Sequence, residues 1–384
     1  MSLSALPKDH IRLLKLEGFT GQGIDKHPAF SIHVISLHAQ PRYSALSYVW
    51  GVDAASHTIV LDDRPVLVGQ NLYNFCFYLT REFWEYGPPD IWDYIWVDAL
   101  CIDQSNLLER NQQVAMMDTI YSDAAIVIVW LGELRPDEMA MHGLSVEERE
   151  KELQRRREMP LLNGLQNSPY WARRWTVQEF ILAKRVHFFC FDDLGQSRDW
   201  LGDEVLDQLP KLYLGFGRGG AHSYLTELFD RKSDGDANRA TSSMLDLLLE
   251  FDECECRDPR DRVFALLSLV EANERDLLLR FFPDYSLSHE SVVIITLGVL
   301  QHVRNTPVLG TYHDDGTFTD SNVLSEKYSS RWHARWPIAI LSALGVETTI
   351  EDAGQWQFSV DQFDVAHATQ RSDTYQPPRL LERP

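Results

Sequence analysis

The chain has 384 residues, enough for two or more domains at roughly 100–200 residues each. Its hydrophobic content of 44% can fill a substantial core, and 57 acidic against 36 basic residues give a net charge of −21. That charge disfavours binding to nucleic acid or to anionic lipid, and the odd number of cysteines, five, favours reduced thiols over a disulfide scaffold.

The sequence shows no clear signal peptide, membrane-spanning segment or zinc-binding motif. The N-terminal segment MSLSALPKDHIRLLKLEGF carries charges where a signal peptide needs an uninterrupted apolar core. The longest apolar runs, AAIVIVWLG and WPIAILSALGV, fall short of the ~20 residues that span a bilayer. Cys254 and Cys256 lie close together, but no second Cys/His pair follows at zinc-site spacing. We expect a soluble, cytoplasmic protein with no membrane partner and no metal site.

The first part of the chain is predicted to form short strands. FSIHVISL (30–37) alternates in hydrophobicity, and SALSYVWG (44–51) is a compact apolar run. HTIVLDDRPVLVG (57–69) places two β-rich stretches around a turn, which predicts a hairpin. NLYNFCFYLTREFW then shows the apolar spacing of a helix.

The segment Ile95 to Gly132 is predicted as strand, helix and strand. Tyr94 to Ile102 is apolar on both alternating faces except at Asp98, which is typical of a central strand covered on both sides. Asn106 can cap the helix that follows, and Glu109, three residues later, can complete a capping box. AIVIVWLG then predicts a second buried strand.

Charged residues dominate from Asp137 to Glu158, where Ser145 and Glu148 fit the capping box of an exposed helix. A helix from about Pro169 to Ala183 and the strand RVHFFCF follow. Beyond residue 200 the pattern changes to loops and helices, and in DPRDR Asp258 fits an N-cap with proline at the first helical position.

These elements predict an α/β fold in two parts. Residues 1–195 should form a central, mainly parallel sheet flanked by helices, a flavodoxin-like core with an N-terminal β-hairpin. Residues 196–384 should form a mainly helical C-terminal region packed on this domain or extending it.

Polar residues gather where this sheet should bind ligands. In an open α/β sheet, ligands lie beyond the carboxyl ends of strands, close to helix N-termini. Asp103 to Arg110 falls at such a place, and Arg110 should point toward the crevice because it shares a helical face with Val114, Met117 and Tyr121. Its guanidinium could hold a phosphate or carboxylate, or pair structurally with Asp98 or Asp103. Asp98 itself must find a donor or a ligand, because burying an unpaired carboxylate is costly.

A third cluster lies in RRWTVQEF (173–180). Trp175 and Glu179 are four residues apart and share one helical face, which places an aromatic plane beside a carboxylate. That arrangement suits a stacked ring next to an acid or base. The alternative is an ordinary amphipathic helix whose glutamate pairs with Arg173 or Lys184.

Three blocks of this sequence, in order, resemble the fungal heterokaryon incompatibility (HET) domain: YSALSYVWG, WVDALCIDQSNLLERNQQVAMMDTIYSDAAIVIVWLGE and RRWTVQEFILAK. CRDPRDRVFALLSL and PDYSLS resemble segments that often follow it, so the resemblance spans Tyr43 to Ser286. It implies a cell-death module of self/non-self recognition. IYSDAAIVIVWLG followed by Trp175-x-x-x-Glu179 is also similar to a strand and helix of TIR domains, which implies a TIR-like core.

The resemblance also implies a chemistry. In TIR enzymes that cleave NAD at its nicotinamide–ribose bond, the corresponding glutamate is catalytic, so Glu179 would stabilise the cationic ribose as nicotinamide leaves. NAD would then be a substrate, and no cofactor is expected. The connection from Glu133 to Arg174 is longer than its TIR counterpart. The substrate-binding residues would be Trp50, Asp98, Asp103, Arg110 and Trp175.

Two other functions stay open. The chain could be a non-enzymatic signalling module that works as a homo-oligomer or by binding a signalling partner protein. It could also be a HET scaffold adapted as an enzyme of a fungal small-molecule pathway, with a nucleotide or metabolite as ligand, because a fold does not determine chemistry. GFGRGG lacks the Lys-Ser/Thr of a P-loop and is predicted to be a loop.

Overall fold

A computed structural model provides the three-dimensional structure. It describes residues 5–21, 26–51, 54–86, 94–133, 145, 147–148, 168–191, 197–201, 228, 231–232, 241–312, 318–320, 336–368 and 376–381. The chain divides into two compact units. Unit 1 comprises Met1–Ala172 and Glu179–Phe229, and unit 2 comprises Arg173–Gln178 and Asp230–Pro384.

Unit 1 is built on one mixed sheet. Its strands are β1 (His10–Thr20), β2 (His27–Ser36), β3 (Ser44–Tyr48), β4 (His57–Leu61), β5 (Arg64–Val68), β6 (Ile95–Trp96), β7 (Ile126–Glu133), β8 (Val186–Phe191) and β9 (Ser197–Leu201). Their order is β5-β4-β2-β1-β6-β3-β7-β8-β9. Strands β6, β3, β7 and β8 are parallel neighbours, with β1 and β9 antiparallel beside them. The predicted α/β class with a parallel centre is confirmed.

The predicted hairpin is formed by β4 and β5. Asp62 and Asp63 connect the two strands with φ values of 48° and 59°. Two consecutive residues of positive φ make the tight turn whose twist matches that of the flanking strands, and aspartate tolerates this conformation better than most residues.

The helices of unit 1 follow the predicted pattern in part. They are α1 (Gln70–Tyr86), α2 (Asp98–Cys101), α3 (Leu107–Val114), α4 (Met117–Asp123) and α5 (Trp175–Leu182), the last with its first four residues counted in unit 2. The long strand predicted from Tyr94 to Ile102 is wrong, because only Ile95 and Trp96 form β6 and Asp98 begins α2. Short apolar runs fit a buried strand and a buried helical turn equally well.

Two predicted helix caps are present. The side chain of Asn106 accepts a hydrogen bond from the backbone N of Glu109 at 3.3 Å, at the start of α3. The predicted capping box is not completed, because the Glu109 carboxylate accepts instead from the backbone N of Asp103 and binds Arg12. Ser145 and Glu148 bond reciprocally, at 2.8 and 3.3 Å, as a capping box requires. The rest of the surface helix predicted from Asp137 to Glu158 lies outside the described residues, as does the GFGRGG loop.

Unit 2 is largely helical. Its helices are α6 (Met244–Glu250), α7 (Asp261–Phe264), α8 (Ala272–Leu278), α9 (His289–Arg304), α10 (Trp336–Ala343), α11 (Ile350–Asp361) and α12 (Val365–Ala368), with a hairpin of β10 (Gly310–Tyr312) and β11 (Phe318–Asp320). Ten consecutive residues of α9, from 291 to 300, are buried, so this helix forms the centre of the unit. None of the described helices is both long and apolar enough to cross a bilayer.

Asp258 is not the N-cap of α7, contrary to the sequence prediction, because that helix begins only at Asp261. Its carboxylate instead holds the Arg260 guanidinium at 2.7 and 2.9 Å. Arg260 also donates to the carbonyl oxygens of Tyr285 and Leu287, at 2.6 and 2.8 Å. The DPRDR and PDYSLS segments are therefore joined within unit 2 by one arginine.

Gly345 follows α10 at a φ of +81°, and an added Cβ would lie 2.9 Å from Cδ of Arg262. We expect Gly345→Ala to lower the free energy of unfolding by about 1–3 kcal/mol, because it adds backbone strain and displaces a side chain that donates to the Ala343 carbonyl. Chemical denaturation of the full chain measures this. Gly51→Ala is the control for strain alone, since Gly51 has a φ of +78° with nothing within 4 Å of an added Cβ. Equal losses in the two variants would contradict the role of packing.

Candidate functional site

The candidate site lies at the carboxyl ends of β3 and β6. The chain runs from β3 through β4, β5 and α1 to β6 on one side, then through α2 to α4 to β7 on the other side of β3. Because crossovers between parallel strands are right-handed, these two connections are expected to cover opposite faces of the sheet. In open α/β sheets such a switch point, between the two strand ends, is where ligands bind.

Trp50 and Asp98 meet at this switch point. Trp50 follows β3, and its indole Nε1 donates to Asp98 Oδ2 at 2.8 Å. The other carboxylate oxygen accepts from the backbone N of Ala99 at 2.7 Å. Asp98 is 7% exposed and Trp50 39% exposed, so the buried carboxylate finds the donor it requires and fixes the indole while part of the ring faces solvent.

The first turn of α1 packs against the end of β3. Asn71 Nδ2 donates to the carbonyl of Val49 at 2.7 Å, and Asn71 Oδ1 accepts from the indole of Trp130 at 2.8 Å. A Cβ on Gly69 would lie 3.5 Å from the carbonyl oxygen of Trp50. The positive end of a 17-residue helix is thus held beside Trp50, where it favours negative charge.

The segment after β6 is fixed by a buried ion pair that the sequence did not reveal. Arg12 on β1 binds Glu109 on α3 through two contacts, Nη1 to Oε1 at 2.5 Å and Nη2 to Oε2 at 3.0 Å. Arg12 Nη1 also donates to the Cys101 carbonyl at 2.8 Å, and Glu109 Oε1 accepts from the Asp103 backbone N at 2.7 Å. The pair therefore holds the chain from α2 to α3 in place.

Arg110 differs in position from its sequence prediction. On α3 the buried side chains are Glu109 and Gln113, whereas Arg110 is only half-buried. The predicted face assumed one continuous helix, but α3 ends at Val114 and α4 begins at Met117, so the two helices do not share one stripe. Ligand binding by Arg110 stays a prediction.

Asp103 and Cys101 differ in their ionisation. The Ser105 hydroxyl donates to Asp103 Oδ1 at 2.6 Å and lowers the pKa of that carboxyl, so Asp103 stays ionised at neutral pH. Burial raises the pKa of the Cys101 thiol to about 12, and the thiol stays protonated. Asp103 adds a negative charge after α2, and Cys101 is no nucleophile. Among the described residues, no group of histidine, cysteine, aspartate and glutamate fits a metal ion.

Glu179 lies in a second grouping, inside unit 1. Its side chain is 1% exposed, and the Ser47 hydroxyl on β3 donates to Glu179 Oε2. The Tyr170 hydroxyl lies 2.7 Å from Ser47 Oγ. Trp175, four residues before Glu179 on α5, is partly exposed and counted with unit 2. Neither Ser47 nor Tyr170 was singled out in the sequence, where a serine inside an apolar strand was the available signal.

A protein-family model described as Heterokaryon incompatibility protein (HET) matches residues 43–179. The matched segment runs from Tyr43, the residue before β3, to Glu179. It contains Trp50, Asp98 and Glu109, the acidic member of the buried ion pair. This match confirms, over residues 43–179, the resemblance to the HET domain found in the sequence.

Two curated relatives carry names of this family. Heterokaryon incompatibility protein 6, OR allele, from Neurospora crassa is 29% identical over 234 residues, which cover 48% of this chain and 33% of that protein. Vegetative incompatibility protein HET-E-1 from Podospora anserina is 30% identical over 152 residues, which cover 39% of this chain and 10% of that protein. The chain thus spans a third or less of these relatives. No solved structure matches it.

The buried ion pair generates a stability prediction. Glu109→Gln should lower the free energy of unfolding by about 3–5 kcal/mol, because it leaves the charge of Arg12 buried and uncompensated. The double variant Arg12→Met with Glu109→Leu should recover more than half of that loss, since apolar residues need no counter-ion. Denaturant unfolding of the wild type and both variants measures this. A double variant no more stable than Glu109→Gln would contradict the ion-pair explanation.

Proposed function

We propose that this chain is an effector of fungal incompatibility and cell death that acts in the cytoplasm through its HET domain. The family match and the names of both relatives support this role. The observation that carries it is the convergence of the three family blocks. Ser47 of the first block contacts Glu179 of the third, and Trp50 of the first contacts Asp98 of the second.

The finer proposal is hydrolysis of NAD at its nicotinamide–ribose bond. The C1′–N bond breaks with its electron pair leaving on nicotinamide, water supplies the oxygen of the new C1′–O bond, and a proton is released. Glu179 would stabilise the positive charge that develops on the ribose as the bond breaks. Its support is the sequence similarity to the Trp-x-x-x-Glu helix of TIR enzymes, together with the position of Glu179 beside β3.

The residues at the carboxyl ends of β3 and β6 suit recognition of a nucleotide. The exposed part of the Trp50 ring offers a surface on which a base can stack. The first turn of α1, packed against the end of β3, offers positive potential for a phosphate. Asp98, Asp103, Arg110 and Trp175 remain proposed contacts for the rest of the substrate.

Glu179→Gln tests the chemistry. The amide is nearly isosteric and can still accept from Ser47, so the domain should remain folded while NAD consumption by the purified full chain falls at least about 100-fold. Expression in a fungal host should then cause no NAD loss and no cell death. Glu17→Gln, at an exposed glutamate on β1, is the matched control and should behave as wild type. Intact NAD with the wild-type chain would contradict the proposal.

The second candidate is a non-enzymatic module that signals by self-assembly. The observation that favours it is a pair of exposed leucines in the first turn of α3, Leu107 at 43% and Leu108 at 67% exposure. On this hypothesis the partner is a second copy of the chain.

Leu108→Asp tests self-assembly. A charge on the exposed leucine should reduce the apparent mass of the full chain in light scattering and abolish cell death, while the unfolding transition stays within about 0.5 kcal/mol of wild type. Leu67→Asp, at an exposed leucine on β5, serves as control. Cell death that survives Leu108→Asp but is lost in Glu179→Gln would exclude assembly through this surface and favour the enzyme.

A further inference from the structure

Glu179 contacts a buried row of hydroxyl groups. Ser47 and Tyr170 are both fully buried, Ser47 Oγ contacts Glu179 Oε2, and Tyr170 OH lies 2.7 Å from Ser47 Oγ. A serine hydroxyl has only one proton, and an ionised carboxylate can only accept. With Glu179 ionised, Ser47 must donate to Glu179 and Tyr170 must donate to Ser47. For an ionised Glu179, these three groups therefore have a single consistent arrangement of protons.

This arrangement keeps the carboxylate away from any substrate. With 1% of its surface exposed, Glu179 leaves no room for a ribose to approach to the ~3 Å that contact requires. Ser47 is held firmly, because β3 pairs with β7 at every residue from Ser44 to Tyr48. Any opening must therefore move Glu179 away from the serine, not the serine away from Glu179.

We propose that the Ser47 hydroxyl is a latch that holds Glu179 in a resting, enclosed position, and that the carboxylate reaches its substrate only when this hydrogen bond opens. The inference rests on the proposed NAD chemistry of Glu179 and adds its regulation. Tyr170 strengthens the latch, since a hydroxyl that accepts a hydrogen bond becomes a better donor. With the latch closed in most molecules, only the small open fraction consumes NAD until a signal opens the rest.

Ser47→Ala removes the latch without removing the carboxylate. Hydrogen bonds to charged groups shift an equilibrium by roughly ten- to hundredfold, so the fraction of open molecules should rise by that factor. Tyr170→Phe should shift it in the same direction by a smaller factor. Ser44→Ala is the matched control, because Ser44 is a fully buried serine three residues earlier on β3 and therefore faces the other side of the sheet.

The test uses the full-length protein and two separate measurements. One is the rate at which a water-soluble carbodiimide and an amine label Glu179, followed by mass spectrometry. The other is NAD consumption. We expect both rates to rise in Ser47→Ala, to rise less in Tyr170→Phe and to remain at the wild-type level in Ser44→Ala. The NAD rate should disappear in Ser47→Ala with Glu179→Gln.

The two proposals fail in different ways. Faster labelling of Glu179 with no NAD loss in any variant would retain the latch and overturn the NAD chemistry. NAD loss that depends on Glu179, with labelling unchanged in both Ser47→Ala and Tyr170→Phe, would overturn the latch and retain the chemistry. If Ser47→Ala does not fold, Tyr170→Phe decides: wild-type labelling in that variant overturns the latch.

Discussion

The burial of β3 is the constraint on which the rest of unit 1 depends. All five residues from Ser44 to Tyr48 are buried, so every polar group on the strand needs a partner inside the domain. Tyr43, just before the strand, donates to the Ile120 carbonyl at 2.6 Å, and burial raises the pKa of its phenol, which stays protonated. Ser47 finds Glu179 and Tyr170. The polar atoms of one strand thus determine which helices and turns pack around it.

The segment after β6 is also positioned by buried polar groups that need partners, here the charges of Arg12 and Glu109. Two buried charges stabilise little as a pair, but leaving either one alone is costly, so the pair specifies one position for α3 relative to β1. Through the Cys101 carbonyl and the Asp103 N–H, that position extends to the chain that follows Asp98. Asp98 itself is hydrogen-bonded to Trp50 at the carboxyl ends of β3 and β6.

Local pattern was enough to predict elements whose periodicity is strong, such as α1, β7 and the β4–β5 hairpin, and to select Asp98 as a candidate. Trp50 became a candidate only with the family resemblance. It could not predict contacts between distant residues, because Arg12 and Glu109 are 97 residues apart and Ser47 and Glu179 are 132 apart. β1 was missed because Arg12 and Lys15 interrupt its apolar residues, and Arg12 looks like a surface charge until its partner is known. Register and pairing depend on the folded sheet, which one sequence does not display.

Both groupings of the candidate site are attached to the same strand. Ser47, on β3, holds Glu179 within the domain. Trp50, three residues later, holds Asp98 at the carboxyl ends of β3 and β6. Because β3 is paired with β7 from Ser44 to Tyr48, Ser47 cannot shift independently of the sheet. A ligand on Trp50 therefore has no means of releasing Glu179 by moving β3. Release must come from the segments that carry Tyr170 and Glu179, so the signal that opens the latch should act on those segments and not on the crevice.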